Sequence, residues 1–126
     1  IYVRTQHIDF LFILSVLLLH VSALLLVSRL FPVDSRGRRW MVWAALLSAL
    51  APTFDALENA VSYLMLAKPL DFADGLALLY SSLAALKFAM FTFAYLVLPV
   101  GVVAGLISRW RVARAATKPS GVSARP

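Results

Sequence analysis

The sequence predicts an all-α integral membrane bundle with three transmembrane helices. Hydrophobic residues make up 62% of its 126 residues and charged residues only 14%, and the mean hydropathy is +0.86. The apolar residues form three long runs, and a run of about 20 such residues is enough to cross the hydrocarbon core of a bilayer. A soluble domain of this size has too little interior to bury so much apolar surface.

The three runs define the expected spans. They are, in order, Ile8 to Phe31, Trp40 to Ala67 and Leu76 to Ser108. The third run has 33 residues, which is too few for two antiparallel spans and a turn, so we expect one long helix that is kinked or broken near Pro99. The bundle would then occupy residues 1–117. Residues 118–126 are rich in Ser, Gly, Pro and Arg, a composition typical of a disordered basic tail.

The basic residues predict the orientation. Most of them lie at the same ends of the three expected spans: Arg29, Arg36, Arg38, Arg39, Arg109, Arg111 and Arg114. Basic residues collect on the cytoplasmic side, so we expect a bacterial inner-membrane protein whose carboxyl end is cytoplasmic and whose first residue here lies outside. Because that residue is Ile1 and not methionine, we expect a fourth span upstream in the native chain. The net charge of +6 flanks the apolar runs and indicates anionic lipid headgroups, not nucleic acid, as the partner.

Five polar side chains inside the runs form a candidate site: His20, Asp55, Glu58, Asn59 and Lys87. The three on the second span share one helical face, because they are spaced i, i+3 and i+4. Counted inward from the outer span ends at about 1.5 Å per residue, the ionisable members lie about 14–18 Å deep, which predicts one shared layer. An unpaired charge at mid-bilayer costs about 2.5–3.5 kcal/mol. We therefore expect Lys87 to meet Asp55, Glu58 or both, with hydrogen bonds from Asn59 and His20.

Three interpretations of this cluster follow. It joins helices that otherwise have little tendency to associate in lipid. Alternatively, it is a proton or ion relay, because two carboxylates against the one amine of Lys87 leave a negative charge. The third is pigment binding, in which His20 ligates a haem or chlorin, although a haem usually takes a second ligand and His7 is expected outside the bilayer. Apart from that alternative, no cofactor is predicted.

Other residues have structural interpretations. Asp9 is expected to cap the amino end of the first span. Gly101 and Gly105 form a small-xxx-small pair, which predicts close packing against another helix. The chain contains no cysteine, and the motifs G-x-S-x-G, H-E-x-x-H and the phosphate-binding loop do not occur in it, so an enzyme is the weaker class.

The segment Phe54 to Asn59, which reads Phe-Asp-Ala-Leu-Glu-Asn, and the later Lys87 resemble a family of small bacterial membrane proteins of unknown function. The resemblance covers about Ile8 to Arg109. It implies four spans, with an aspartate opening the second, a D-x-x-E-N motif in the third and a lysine in the fourth, and Asp9 matches the first of these places. Similar proteins show a proline and a tyrosine after that aspartate, whereas this chain has neither between Leu11 and Ser15.

The function that we expect from the sequence is that of a noncatalytic small subunit, or an accessory factor, of a larger membrane complex. So little of the chain lies outside the expected spans that other membrane subunits are its natural partners. The alternative is a small transporter or relay that uses the intramembrane carboxylates and Lys87.

Overall fold

The computed structural model describes residues 2–67 and 74–117 of the chain. These residues form four helices: α1 (Tyr2–Ser28), α2 (Arg36–Ser48), α3 (Leu50–Ala67) and α4 (Asp74–Ala116). Since α2 and α3 follow each other within one span, three segments are long and apolar enough to cross a membrane. The predicted all-α membrane bundle is therefore confirmed. The predicted disordered tail, 118–126, lies outside the described residues.

Helix α1 ends three residues before the end of its apolar run. The amides of Arg29, Leu30 and Phe31 donate to carbonyls three residues back, at 3.1, 3.0 and 3.3 Å. Such bonds tighten the last turn of a helix, and Pro32 then prevents its continuation. The chain turns and enters α2 at Ser35, whose hydroxyl accepts from the amide of Arg38 at 3.2 Å, the usual bond of a serine N-cap.

The second predicted span contains a local interruption at Ala49. Pro52 has no amide hydrogen, and its ring crowds the carbonyl four residues earlier, which belongs to Ser48. Helix α2 therefore ends at Ser48 and α3 begins at Leu50. Ala49 keeps a helical backbone, with φ −68° and ψ −19°, so the two helices still act as one span.

Helix α4 is continuous from Asp74 to Ala116, through Pro99. The alternative that this helix is broken at Pro99 is therefore wrong, because one missing amide donor does not stop the turns on either side of it. Helix α4 also continues eight residues beyond Ser108, the predicted end of the third span. At about 1.5 Å per residue, its 43 residues measure about 64 Å, roughly twice the thickness of a hydrocarbon core.

The interior of the bundle is narrow. Helix α4 packs mainly against α3, and α1 mainly against α2. At the centre of the core lie Leu24, Ala44 and Ala45, with Phe93, Val97 and Leu98 packed around them. Large apolar side chains cover the outside of all the helices. An apolar exterior over a small interior is the distribution expected of a bundle surrounded by lipid.

The two glycines of α4 pack inside the chain. A β-carbon at Gly101 would lie 2.6 Å from the sulfur of Met41 on α2, and one at Gly105 would lie 2.6 Å from the β-carbon of Leu30. Both glycines are buried. Gly101 therefore packs against α2 and Gly105 against the turn that follows α1, so the pair is not available to a separate subunit.

We expect Gly105→Ala to lower the free energy of unfolding by about 1–3 kcal/mol, because the new methyl group overlaps Leu30 and forces α4 away. Thermal unfolding in a mild detergent, followed by tryptophan fluorescence, measures the change. Gly75→Ala is the matched control, since a β-carbon at Gly75 meets nothing within 4 Å. Equal midpoints for the two variants would contradict the packing role of Gly105.

Candidate functional site

Lys87 joins two carboxylates on the neighbouring helix. Its Nζ lies 3.0 Å from Asp55 Oδ1 and 2.5 Å from Glu58 Oε2. The contact with Asp55 is a hydrogen bond. The contact with Glu58 is a close ion pair without hydrogen-bond geometry, and no described residue donates a hydrogen bond to that buried oxygen. Between 10 and 15% of each side chain is exposed. We call Asp55, Glu58 and Lys87 the ion triad.

The local structure of α3 and α4 places the triad between them. Asp55 and Glu58 are three residues apart, so both face the same neighbouring helix. On α4, Leu83 and Ala94 are buried one turn before and two turns after Lys87, which puts the lysine on the packed side of the helix. The side chain of Lys87 therefore emerges directly opposite the two carboxylates.

A second polar contact joins α3 to α1. The amide nitrogen of Asn59 donates to Asp9 Oδ2 at 2.6 Å. The predicted capping role of Asp9 is wrong, because α1 begins at Tyr2 and Asp9 lies two turns inside the helix, where backbone amides already have helical partners. Asn59 was expected to hydrogen-bond within the carboxylate and lysine cluster, but the donor bond found for it goes to Asp9. Asp9 and Asn59 form a separate pair beside the triad.

His20 lies apart from the triad. Its Nδ1 is 3.0 Å from the carbonyl of Val16 in the same helix, and its ring packs against Tyr95 and Phe91 at centroid distances of 5.2 and 6.0 Å. Tyr95 and Phe91 follow Lys87 on α4 by two turns and one turn. The hydrogen bond expected from His20 to the cluster is not formed. Among the described residues no three metal-binding side chains come together, at His20 or elsewhere.

The depth of these groups differs from the prediction. We use the term basic end for the end of the bundle that carries Arg29, Arg36 and Arg109. Heights are compared from the level at which Gly101 packs against Met41 and Val27. From there Lys87 and Asp55 both lie about 21 Å away, and Asp9 and Asn59 both lie about 27 Å away, at about 1.5 Å per residue. The Asp9–Asn59 pair is therefore further from the basic end than the contact of Lys87 with Asp55.

His20 lies closer to the basic end, about 12 Å from Ser28 along α1. The predicted single layer is wrong for His20, because its ring packs against Tyr95, which is two turns, or about 12 Å, from Lys87 along α4. His20 therefore does not share a layer with the triad.

The triad carries an unequal charge. Two carboxylates face one ammonium group, which leaves a formal charge of −1 when all three are ionised, and Asp9 adds a third carboxylate opposite the neutral Asn59. An added proton or a small cation would complete the balance. The contact that the sequence analysis missed is Asp9 with Asn59. The available signal was Asn59 itself. Its amide can donate a hydrogen bond, and the same span already contains two carboxylates, which when ionised can only accept.

These features define a class, a multi-pass helical membrane protein with an ion triad between two of its spans. No protein-family model, curated protein or solved structure matches the chain. The resemblance based on the D-x-x-E-N motif therefore stays a prediction.

We expect Lys87→Met to lower the free energy of unfolding by about 3–5 kcal/mol at neutral pH, because it leaves two carboxylates without a cation. The loss should be smaller in the variant Asp55→Asn, Glu58→Gln, Lys87→Met, which removes all three charges together. Thermal unfolding midpoints of the two variants and the wild type provide the measurement. An equal loss in both variants would mean that charge is not the cause.

The Asp9–Asn59 pair allows an exchange experiment. We expect Asn59→Asp to destabilise the protein by about 1–3 kcal/mol, because it sets a second carboxylate against Asp9. Adding Asp9→Asn restores one amide and one carboxylate in the opposite order and should recover most of the stability. A double variant no more stable than Asn59→Asp alone would show that the contact does not join α1 to α3. The same thermal assay measures all three proteins.

Proposed function

We propose that the protein is a noncatalytic small subunit or accessory factor of a larger complex in a bacterial inner membrane, with its basic end in the cytoplasm. The observation that carries the proposal is an exposed, largely apolar stripe on α4 from Phe88 to Trp110, combined with interior polar contacts that join α3 to both α4 and α1. The stripe consists of Phe88, Thr92, Tyr95, Pro99, Val103, Leu106 and Trp110.

The stripe has the dimensions of a contact with another transmembrane helix. Its residues recur at intervals of three and four, so they lie on one helical face. From Phe88 to Trp110 the stripe is about 33 Å long, the thickness of a membrane core. A shallow groove of about 410 Å³ interrupts the stripe beside Pro99 and Val103. Ala104 also lines this groove, and a small side chain at such a place allows another helix to approach closely.

The interior polar groups fit a structural role. The triad joins α3 to α4, and the Asp9–Asn59 pair joins α1 to α3. Polar contacts of this kind replace the hydrophobic driving force that helices lack within lipid. The four grooves characterised on the surface are lined by apolar and arginine side chains, and no triad residue lines any of them. This arrangement supports a scaffold more than a substrate site.

Purification from the native cells in a mild detergent tests the proposal. We expect other membrane polypeptides to copurify with the tagged full-length protein in fixed proportion. Val103→Trp places a bulky ring in the stripe and should reduce their recovery several-fold. Leu18→Trp is the matched control, because Leu18 is also an exposed aliphatic residue but lies on α1. Recovery of the wild-type protein alone would overturn the accessory role.

The uneven charge of the triad favours a second candidate, a proton or ion relay. A relay needs further polar groups inward from the triad, and His20 is the next buried ionisable side chain, although it contacts no triad residue. The neutral triple variant Asp55→Asn, Glu58→Gln, Lys87→Met distinguishes the two functions, because removing every charge of a buried group together avoids an unpaired ion.

In liposomes with an imposed membrane potential, a relay would give wild-type proton flux that the triple variant lacks. An accessory subunit would give no flux, and the triple variant would still recover its partners.

The same preparation tests pigment binding through His20. A haem or chlorin would colour the wild-type protein, and His20→Leu would remove the colour.

A further inference from the structure

A second groove, between α2 and α4, has two chemically different parts. Near the basic end it is lined by Arg36, Arg39, Trp40, Trp43 and Leu47. Further in, it is lined by apolar side chains alone, and α4 contributes Phe93, Leu96, Val97 and Val100. Trp40, Trp43 and Leu47 line both parts, so the two parts are continuous. We refer to the whole as the α2–α4 groove.

The helical geometry explains the shape of the groove. On α2, the lining residues from Arg36 to Leu47 recur at intervals of three and four, so they form one stripe down the helix. The residues from Phe93 to Val100 form the corresponding stripe on α4. Ala44 lies between the two helices and is buried. Its small side chain leaves a cavity of about 390 Å³ in the inner part.

We propose that the α2–α4 groove binds one anionic phospholipid, whose phosphate lies between Arg36 and Arg39 and one of whose acyl chains runs inward past Trp43 and Leu47. The proposal is independent of the accessory role. It adds a defined site to the general attraction between a basic membrane end and anionic lipid.

The charges support an anionic headgroup. Neither Arg36 nor Arg39 forms an ion pair with any carboxylate in the described part of the chain, where the two salt bridges both belong to Lys87. Two free guanidinium groups one turn apart present parallel donors to a phosphate. Trp40 and Trp43 are 71% and 62% exposed, and tryptophan favours the depth at which headgroups meet acyl chains.

The length of the groove favours a lipid over a protein helix. From Arg36 to Leu47 the rise along α2 is about 16 Å, at about 1.5 Å per residue. That is about half of a hydrocarbon core, and so about one leaflet. A partner helix would need a contact surface as long as the membrane core is thick, and the stripe on α4 has that length whereas the groove does not. An acyl chain occupies one leaflet, and its headgroup would reach the arginines.

Native mass spectrometry of the purified full-length protein tests the site. The protein is titrated with phosphatidylglycerol and phosphatidylcholine that carry the same acyl chains. We expect the first phosphatidylglycerol to bind about tenfold more tightly than phosphatidylcholine. Arg36→Gln with Arg39→Gln should abolish that preference. Equal affinity of the wild-type protein for the two lipids would overturn the proposal.

A matched pair of substitutions separates the site from the general charge of the basic end. Arg38→Gln with Arg111→Gln also removes two positive charges at that end, but neither residue lines the α2–α4 groove. We expect this control to keep the preference for phosphatidylglycerol. If both double variants lose the preference equally, the interaction is nonspecific and no defined site exists.

The acyl part of the proposal has its own test. Val100 is 66% exposed at the edge of the inner part, so Val100→Trp should fill the groove without disturbing the core. We expect this variant to bind phosphatidylglycerol several-fold more weakly although both arginines remain. Unchanged binding would overturn the acyl position. Displacement of the lipid by inorganic phosphate alone, or a copurified protein that crosslinks at Trp43, would overturn the choice of a lipid.

Discussion

The contact of Lys87 with Asp55 and Glu58 determines how the helices are arranged at one end of the bundle. Helices surrounded by lipid gain little from apolar contact alone, because lipid offers the same contact. A charge that meets its counterion only between two helices favours one rotation and one depth for each of them. The triad does this for α3 and α4. Because Asn59 directly follows Glu58, the same rotation turns its amide toward α1, where Asp9 accepts it.

The opposite end of the bundle is joined differently. There the helices approach through small side chains, with Gly101 and Gly105 of α4 against Met41 and Leu30. Close contact yields many weak dispersion interactions, each of which depends on distance. Polar bonds toward one end and tight packing toward the basic end hold the three spans together. Between these two regions, Leu24, Ala44 and Ala45 form a small core.

The sequence predicted the features that depend on composition and on helical spacing. Long apolar runs predicted the spans, and the spacing of Asp55 and Glu58 indicated that both would face a partner such as Lys87. The relative height of His20 and Lys87 was not predictable, because the second and third segments, of 32 and 43 residues, are long enough to leave the span ends undefined. The interruption at Ala49 depends on how Pro52 meets Ser48 in three dimensions. The Asp9–Asn59 bond depends on the relative height of α1 and α3, which the sequence of neither helix specifies.

The division of polar groups among the helices has a consequence for how the chain enters a membrane during synthesis. The segment Arg36–Ala67 is the least apolar of the three, with a mean hydropathy of 1.4 against 2.8 and 2.2 for the others. It also carries both triad carboxylates, and their counterion follows later in the chain, on α4. The second segment therefore gains its full stability in lipid only after α4 lies beside it. The retention of α3 in lipid thus depends on a helix that is synthesised after it.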